Sequence, residues 1–388
     1  MTEASRRPRL LVTLHSPDIS GPLRTLEPRI ALLADRGVDV FVTVPALGAA
    51  SRSLARWATI SLTGPYERTV LPSSIREANR TVVGIGRDLM SFRKLMRTLR
   101  PSLVLAVTAV LPSVVLAARA RGIPCVVYAA EVLGGERGRI ATHLYARAAR
   151  RIATHVVCAS STVAASYGWP RVPDVSVVHP GVTVRPSSAD RTQLRRRLGI
   201  PAGAFCMGSV GTLAPGRGQA VVLDALAQLV VDVPDVHCII VGAPDRRTAA
   251  HASVLRSRAA EPALAGRVTF LRSVNEISDL YGAVDVVVNP ALVPEGFGRV
   301  ACEALLHGLP VVSTNVGAVP SLLVDQRHAL LVKPGDASAI AGAVRTIIGS
   351  PQFTAQLVQE GRHHVRHLTD PRTTDRAFLR IIQNLLGP

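Results

Sequence analysis

The stretch "VDVVVNPALVPEGFGRVACEALLHGLPVVSTNVG", residues 284–317, holds a complete unit of structure. "VDVVVNP" is a short β-branched run closed by Asn-Pro, which reads as a buried strand. After a glycine-bearing loop, "RVACEALL" carries apolar residues at helical spacing, and "LPVVSTNVG" returns to a strand. Strand, helix and strand in this order give parallel neighbours, and a parallel sheet is covered on both faces.

Working outward, the same alternation fills the chain. Before the midpoint lie "RLLVTLH" (9–15), "VDVFVTV" (38–44), "SLVLAVTAV" (102–110), "IPCVVYAA" (123–130), "HVVCAS" (155–160) and "VSVVHPGV" (175–182). Beyond it lie "AFCMGSVG" (204–211), "VHCIIVG" (236–242), "RVTFLRSV" (267–274) and "ALLVKPGD" (329–336). Amphipathic segments stand between them, such as "EPRIALLADRG", read as a helix with Pro28 near its start and Gly37 closing it. A length of 388 residues suits two domains rather than one. The Pro/Ser/Gly-rich "HPGVTVRPSSAD" puts the linker near 182–190, which predicts domains over 1–182 and 183–368. The amphipathic end, 369–388, is free to pack back on either, with the N-terminal domain favoured. The expected class is α/β, with two Rossmann-like, doubly wound parallel sheets whose strand ends face a cleft.

Composition narrows the function. Hydrophobic residues make up 48% and charged residues 19%, which excludes a disordered chain, and no run is long enough to cross a membrane. Five cysteines, four of them beside Val/Ile-rich runs and none in a metal-ligating spacing, read as buried reduced thiols and a cytoplasmic setting. The net charge of +18 rests on arginines, with Lys94 and Lys333 the two lysines, a bias read as coding composition rather than as a nucleic-acid footprint. Aromatic residues at 4% are too sparse for base stacking, so nucleic acid is not an expected partner. In "GRDLMSFRKLMRTLR" (86–100), Leu89, Phe92, Leu95, Met96 and Leu99 share one side and Arg93, Lys94, Arg97 and Arg100 the other. This is a sheet-covering helix or, alternatively, a peripheral membrane contact at the inner face. "RHHVRH" (362–367) lacks the supporting acids or cysteines of a metal site, while His179 and His307 read as structural.

Two features carry chemistry. "FCMGSVGTLAPGRGQAVVLDAL" is strand, glycine-rich turn and helix: Gly208, Gly211, Gly216 and Gly218 permit tight turns, and the helix start favours an anion that Arg217 would pair. Its spacing fits neither the dinucleotide nor the P-loop pattern. Then Glu295 lies in the loop before a helix beginning near Gly298, with free amides from Gly298 to Ala301, and Glu303 lies more than a turn inside. Eight residues of unbroken helix span about 12 Å, which suits two hydroxyl-rich ends of one long ligand better than an acid and a base sharing a proton. The implied ligand is a nucleotide diphosphate-sugar. A plainer reading makes Glu295 a cap and Glu303 the partner of Arg299.

The C-terminal half, from "SVGTLAPGRG" through "VTFLRSV", "LYGAVDVVVNP" and "PEGFGRVACEALLHGLPVVSTNVG" to "LLVKPGDASAIAGAV", resembles the family 4 glycosyltransferases of the GT-B fold. The resemblance implies a retaining transferase that moves a sugar from a UDP- or GDP-sugar to a small-molecule, glycan or lipid-linked acceptor, with no metal or other cofactor. It places Glu295 on the transferred sugar and Glu303 on the ribose, as the two glutamates of an E-x7-E motif. Phe297, Gly298, Arg299 and Val300 match the turn around sugar and phosphate. Arg217 replaces a diphosphate-binding lysine, and Gly211 and Val274 complete the donor side. Thr212 stands where the family commonly has arginine. Ala130 stands where a strand often ends in histidine, which leaves Glu131 or His15 as candidates to face the cleft. Ser20, Gly21 and Arg24 are the acceptor-side candidates. The competing readings are a nucleotide-sugar-binding partner subunit and a sugar-nucleotide epimerase.

Overall fold

The protein is described from a computed structural model covering residues 7–62, 75–108, 111–132, 152–168, 174–187, 189–244, 248–274 and 276–387. Ala109 and Val110, at the end of the "SLVLAVTAV" run, and Ser188 of the linker segment lie outside the described residues. The chain forms two compact units, Met1–Gly181 with Pro371–Pro388, and Val182–Asp370.

In the first unit β1 (Arg9–Leu14), β2 (Asp39–Val44), β3 (Thr59–Leu62), β4 (Leu103–Val107), β5 (Cys125–Ala129), β6 (His155–Cys158) and β7 (Val175–Val177) form one parallel sheet in the order β3-β2-β1-β4-β5-β6-β7. The second unit's sheet has β8 (Phe205–Val210), β9 (Val236–Val241), β10 (Val268–Leu271), β11 (Val286–Asn289), β12 (Val311–Thr314) and β13 (Leu330–Val332) in the order β10-β9-β8-β11-β12-β13, again parallel. Successive strand side chains point to opposite faces, so each sheet feeds two cores. Leu10, Val12 and Leu14 enter one cluster while Leu11 enters the other, and Leu103 and Leu105 separate from Val104 and Ala106 in the same way. In the second unit Ile239 and Val287 pack on one face and Cys238, Ile240 and Val288 on the other.

The first helix departs from the sequence expectation. It runs Gly21–Asp35, so Pro28 lies inside it rather than near its start. The start is set by Ser20, whose Oγ accepts the Leu23 N–H at 3.4 Å, and by Pro22 in the first turn. On this helix Arg29 is fully buried. Its Nε donates to Asp375 Oδ1 at 2.7 Å and its Nη2 to the His179 carbonyl at 2.9 Å, while the guanidinium carbon stands 4.8 Å from the Phe378 ring centroid. Asp375 and Phe378 belong to the last helix, Pro371–Leu386, whose Phe378, Leu379 and Ile382 join Leu23, Leu26, Ile30 and Leu33 in one cluster. A buried cation therefore ties the first helix, the segment just before residue 182 and the C-terminal helix together.

The helix Ile75–Leu99 buries Phe92 and Met96 completely and packs Leu89, Leu95 and Leu99 beside them, leaving Arg93, Lys94 and Arg97 exposed. These five apolar residues share a core cluster with Leu11, Val104 and Ala106 of the sheet. All five cysteines are free and buried, and burial pushes the Cys125, Cys158, Cys206 and Cys302 thiols up to about 12, with Cys238 shifted the same way.

Burial also lowers the pKa of His155, His179, His237, His307 and His328. His328 stacks on His364 at 4.1 Å and accepts the Val324 N–H on Nδ1 at 3.2 Å, so protonation of that nitrogen breaks a bond; Arg327 adds to the opposition and Glu360 acts against it. With folded pKa values depressed, the unfolded chain binds more protons below its imidazole pKa of about 6.5. The contribution to stability is complete above that value and declines as pH falls through it toward the folded values. The melting temperature measured from pH 7.5 to pH 5.5 is expected to fall; a flat profile would contradict this assignment.

Candidate functional site

In each open sheet one pair of neighbouring strands is the point from which the strand order runs outward in both directions, and ligands of such sheets bind beyond the carboxyl ends there. In the second unit that pair is β8 and β11. The two sequence motifs are the loops that leave these two strands. The fold thus joins what 80 or so residues of sequence separate.

The loops are laced at the backbone. The Gly211 N–H donates to Val241 O at 2.9 Å, and the Gly216 carbonyl accepts the Leu292 N–H at 2.9 Å. Gly218 sits at φ +72°, and a Cβ there would fall 1.9 Å from the Pro290 carbonyl oxygen, so no other residue fits this crossing. At Gly317, φ +66°, a Cβ would fall 2.3 Å from the Glu295 backbone nitrogen, and the Glu295 carbonyl accepts the Ala318 N–H at 2.9 Å. The β8, β11 and β12 loops form one clasp around Glu295.

Glu295 lies before the helix Arg299–Leu306, so helical rise does not set its separation from Glu303. Its Oε2 accepts Asn289 Nδ2 at 3.1 Å, and its Oε1 is paired with Arg217 Nη1. Asn289 ends β11, is buried, and donates also to Ser313 Oγ at 3.2 Å, which fixes its amide. Arg217 itself is exposed, on the short turn Pro215–Arg217. A cation for phosphate and a carboxylate for hydroxyls therefore meet in a single ion pair.

Glu303 is inside the helix and 7% exposed, with Oε1 taking Arg299 Nε at 2.7 Å and Oε2 taking the Tyr281 hydroxyl at 3.1 Å. The pairing with Arg299 matches the plainer of the two readings of Glu303. Arg299 Nη1 is buried without a hydrogen-bond partner among the described residues. Tyr281 also lies 5.0 Å from His307, which burial holds below the ordinary imidazole range while Glu303 opposes the shift. Gly298, at φ +75°, starts this helix with no side-chain cap. That leaves first-turn amides, with their positive dipole end, beside the Glu295 loop. Phe297 is buried in the underlying core, against which the half-buried Val300 and Val274 pack.

In the first unit the corresponding strand pair is β1 and β4. His15 follows β1, with Nδ1 3.3 Å from the Val107 carbonyl at the end of β4. Glu131 follows β5, and its Oε2 accepts the Ala130 N–H at 3.2 Å, so β4 stands between the two candidates. Ser20 spends its hydroxyl on capping, Gly21 opens the first helix, and Arg24 is exposed one turn in.

Sequence reasoning missed Asn289, Ser313, Tyr281 and Gln219. A signal existed for Asn289: it is the polar residue closing an otherwise apolar buried strand. Tyr281 and Ser313 carry no such mark, because their partners come from other strands and helices. Among the described residues no group of three or more His, Cys, Asp or Glu side chains is placed to hold a metal ion.

Residues 190–364 match the family model described as "Glycosyl transferases group 1". The D-inositol 3-phosphate glycosyltransferase of Stackebrandtia nassauensis is 32% identical over 208 residues, 52% of this chain and 47% of that protein. The enzyme of the same name from Mycobacterium marinum is 34% identical over 222 residues, 55% of this chain and 46% of that protein. The chain thus spans about half the length of the curated relatives it matches. Among solved structures, Anabaena Alr3699/HepE in complex with UDP and glucose superposes with a TM-score of 0.81 at 23% identity, covering 96% of this chain and 98% of that one. Sucrose-phosphate synthase from Thermosynechococcus elongatus gives 0.79 at 19%, covering 98% and 99%. The two parallel-sheet α/β domains are those of the GT-B glycosyltransferase structures, and the candidate site falls within the segment that matches the group 1 model.

Proposed function

We propose that the chain is a retaining glycosyltransferase that moves a sugar from a UDP-sugar to an acceptor hydroxyl. The observation that carries this reading is the meeting of Arg217, Glu295 and the open helix start at Gly298 beyond β8 and β11. A diphosphate draws Arg217 off Glu295 and takes the helix-start amides, and the freed carboxylate accepts hydroxyls of the transferred sugar. Asn289 keeps that carboxylate in place while its partner changes. Glu303, held by Tyr281 and Arg299, is then the group for the ribose. The choice of UDP is supported by the HepE structures, which contain UDP, UDP-glucose, or UDP with glucose.

Retention of configuration fits a site in which the carboxylate nearest the cation is already committed to hydrogen bonds. In this scheme the departing phosphate oxygen takes the acceptor proton on the same face of the sugar, and exclusion of water lets the acceptor compete. Thr212 and Ala130, which replace a cation and an imidazole expected from the resemblance, motivate a second reading as a nucleotide-sugar-binding subunit with little turnover. Thermal shift against UDP-, GDP-, dTDP- and ADP-sugars, followed by nucleotide release with a panel of acceptors, separates the two. Stabilisation by UDP-glucose of about 2–3 kcal/mol at a hundredfold excess over Kd, with UDP released only when acceptor is present, is expected. Binding without release under any acceptor would favour the subunit, and release as an altered sugar nucleotide would favour an epimerase.

A further inference from the structure

Gln219 opens the helix Gln219–Leu229 behind the β8 turn and is 1% exposed. Its Nε2 donates to the Thr212 carbonyl at 3.0 Å and to the Gly211 carbonyl at 3.4 Å. Only the amino end of the amide can serve two carbonyls, so its orientation is settled by its partners. The other end, Oε1, is buried and has no hydrogen-bond partner among the described residues. An orphaned buried oxygen costs roughly 1–3 kcal/mol, a cost that a leucine or methionine of similar size would avoid. The donor end of this side chain must therefore matter.

What it holds is the backbone of the turn. In a planar trans peptide the C=O and the following N–H point in opposite directions. Tying the Gly211 carbonyl inward to Gln219 therefore turns the Thr212 N–H outward. Thr212 is exposed and no described residue accepts that N–H, whereas its neighbours are used, Gly211 N–H by Val241 O at 2.9 Å and Leu213 N–H by Ala243 O at 3.3 Å. The stem of Arg217 passes beside the same turn, its Cδ 3.9 Å from where a Gly211 Cβ would stand. One free amide and one exposed guanidinium thus adjoin each other at the end of β8.

We propose that Gln219 is a positioning residue: by holding the Gly211 and Thr212 carbonyls it aims the Thr212 N–H at the diphosphate of the donor. Backbone donation here compensates for the neutral side chain at Thr212, since a fixed amide needs no cation to bind an anionic oxygen. The inference rests on the donor reading above.

The test is calorimetric binding of UDP and of uridine to the wild type, Gln219→Met and Gln219→Glu. Gln219→Met is expected to weaken UDP at least tenfold and leave uridine unchanged, and to raise the KM for UDP-glucose more than it lowers kcat. Gln219→Glu, which puts a carboxylate against two carbonyls, should weaken UDP further. In 15N-labelled wild type the Thr212 amide resonance should move downfield on adding UDP and stay in place on adding uridine, which tests the idea even if both variants fail to fold. Equal UDP affinity in the wild type and a folded variant, or an immobile Thr212 resonance in UDP-bound protein, overturns the role of Gln219 alone. Failure of the wild type to bind UDP overturns the donor reading first and this inference with it.

Discussion

Glu295→Ala is expected to lower kcat/KM for UDP-sugar by about 100- to 1000-fold while leaving UDP itself bound as tightly as in the wild type, or tighter. The reason for the split lies in the ion pair. Glu295 holds Arg217 when no donor is present, so removing the carboxylate releases the guanidinium for phosphate. What is lost is the acceptor of sugar hydroxyls. Two hydrogen bonds to a charged group are worth about 3–4 kcal/mol together at the lower end of their range, which at about 1.4 kcal/mol per decade gives the stated loss. The Glu295 carbonyl still accepts the Ala318 N–H, so the loop keeps its main tie and the melting temperature should hardly move. Steady-state kinetics with UDP titration on the same preparation checks both halves. Near-normal turnover would remove Glu295 from the sugar, and loss of UDP binding in parallel with turnover would show that the loop, rather than the carboxylate, had been damaged.

The second large effect is on stability. Asp375→Ala leaves the Arg29 guanidinium fully buried with no counter-charge. Breaking a buried pair from one side costs about 3–5 kcal/mol, because the remaining charge stays desolvated. For a unit of this size that amounts to a fall of roughly 6–20 °C in its melting transition. Replacing both partners, Arg29→Met with Asp375→Leu, removes the stranded charge and should recover most of the loss, since apolar substitutes for buried pairs are often neutral. Calorimetry on the three variants decides it: a double variant no more stable than the single one would mean that the pair acts through shape and not through charge. The same pair explains why the last helix returns to the first unit. Phe378, Leu379 and Ile382 supply the apolar contact, and Asp375 adds a partner that only a buried arginine can use.

Much of this was legible beforehand. The β-branched runs gave twelve of the thirteen strands found among the described residues, within a residue or a few, because a strand buried on both faces must be apolar along its length. β3 escaped because it is a four-residue edge strand, "TISL", with no such run to mark it. The first helix starts seven residues before Pro28, because Ser20 and Pro22 set it going and a proline inside a helix carries the same local signal as one at its start. Glu295 and Glu303 stood out because carboxylates are conspicuous in a basic, apolar context. Arg29 did not stand out, since an arginine on an amphipathic helix looks like any solvated one until the C-terminal helix covers it.

Local chemistry therefore determined the elements, the two α/β units and the residue types gathered at the candidate site, since periodicity and turn residues act over a few positions. Only the tertiary structure decided which of those residues meet. It brought Arg217 from one loop onto Glu295 of another, put Asn289 and Ser313 beneath them, and turned Gln219 inward. These pairings depend on strand order, and β8 lies beside β11 because parallel strands joined by crossovers need not be neighbours in sequence. No spacing within the motifs encodes that adjacency; it follows from burying both faces of a single sheet.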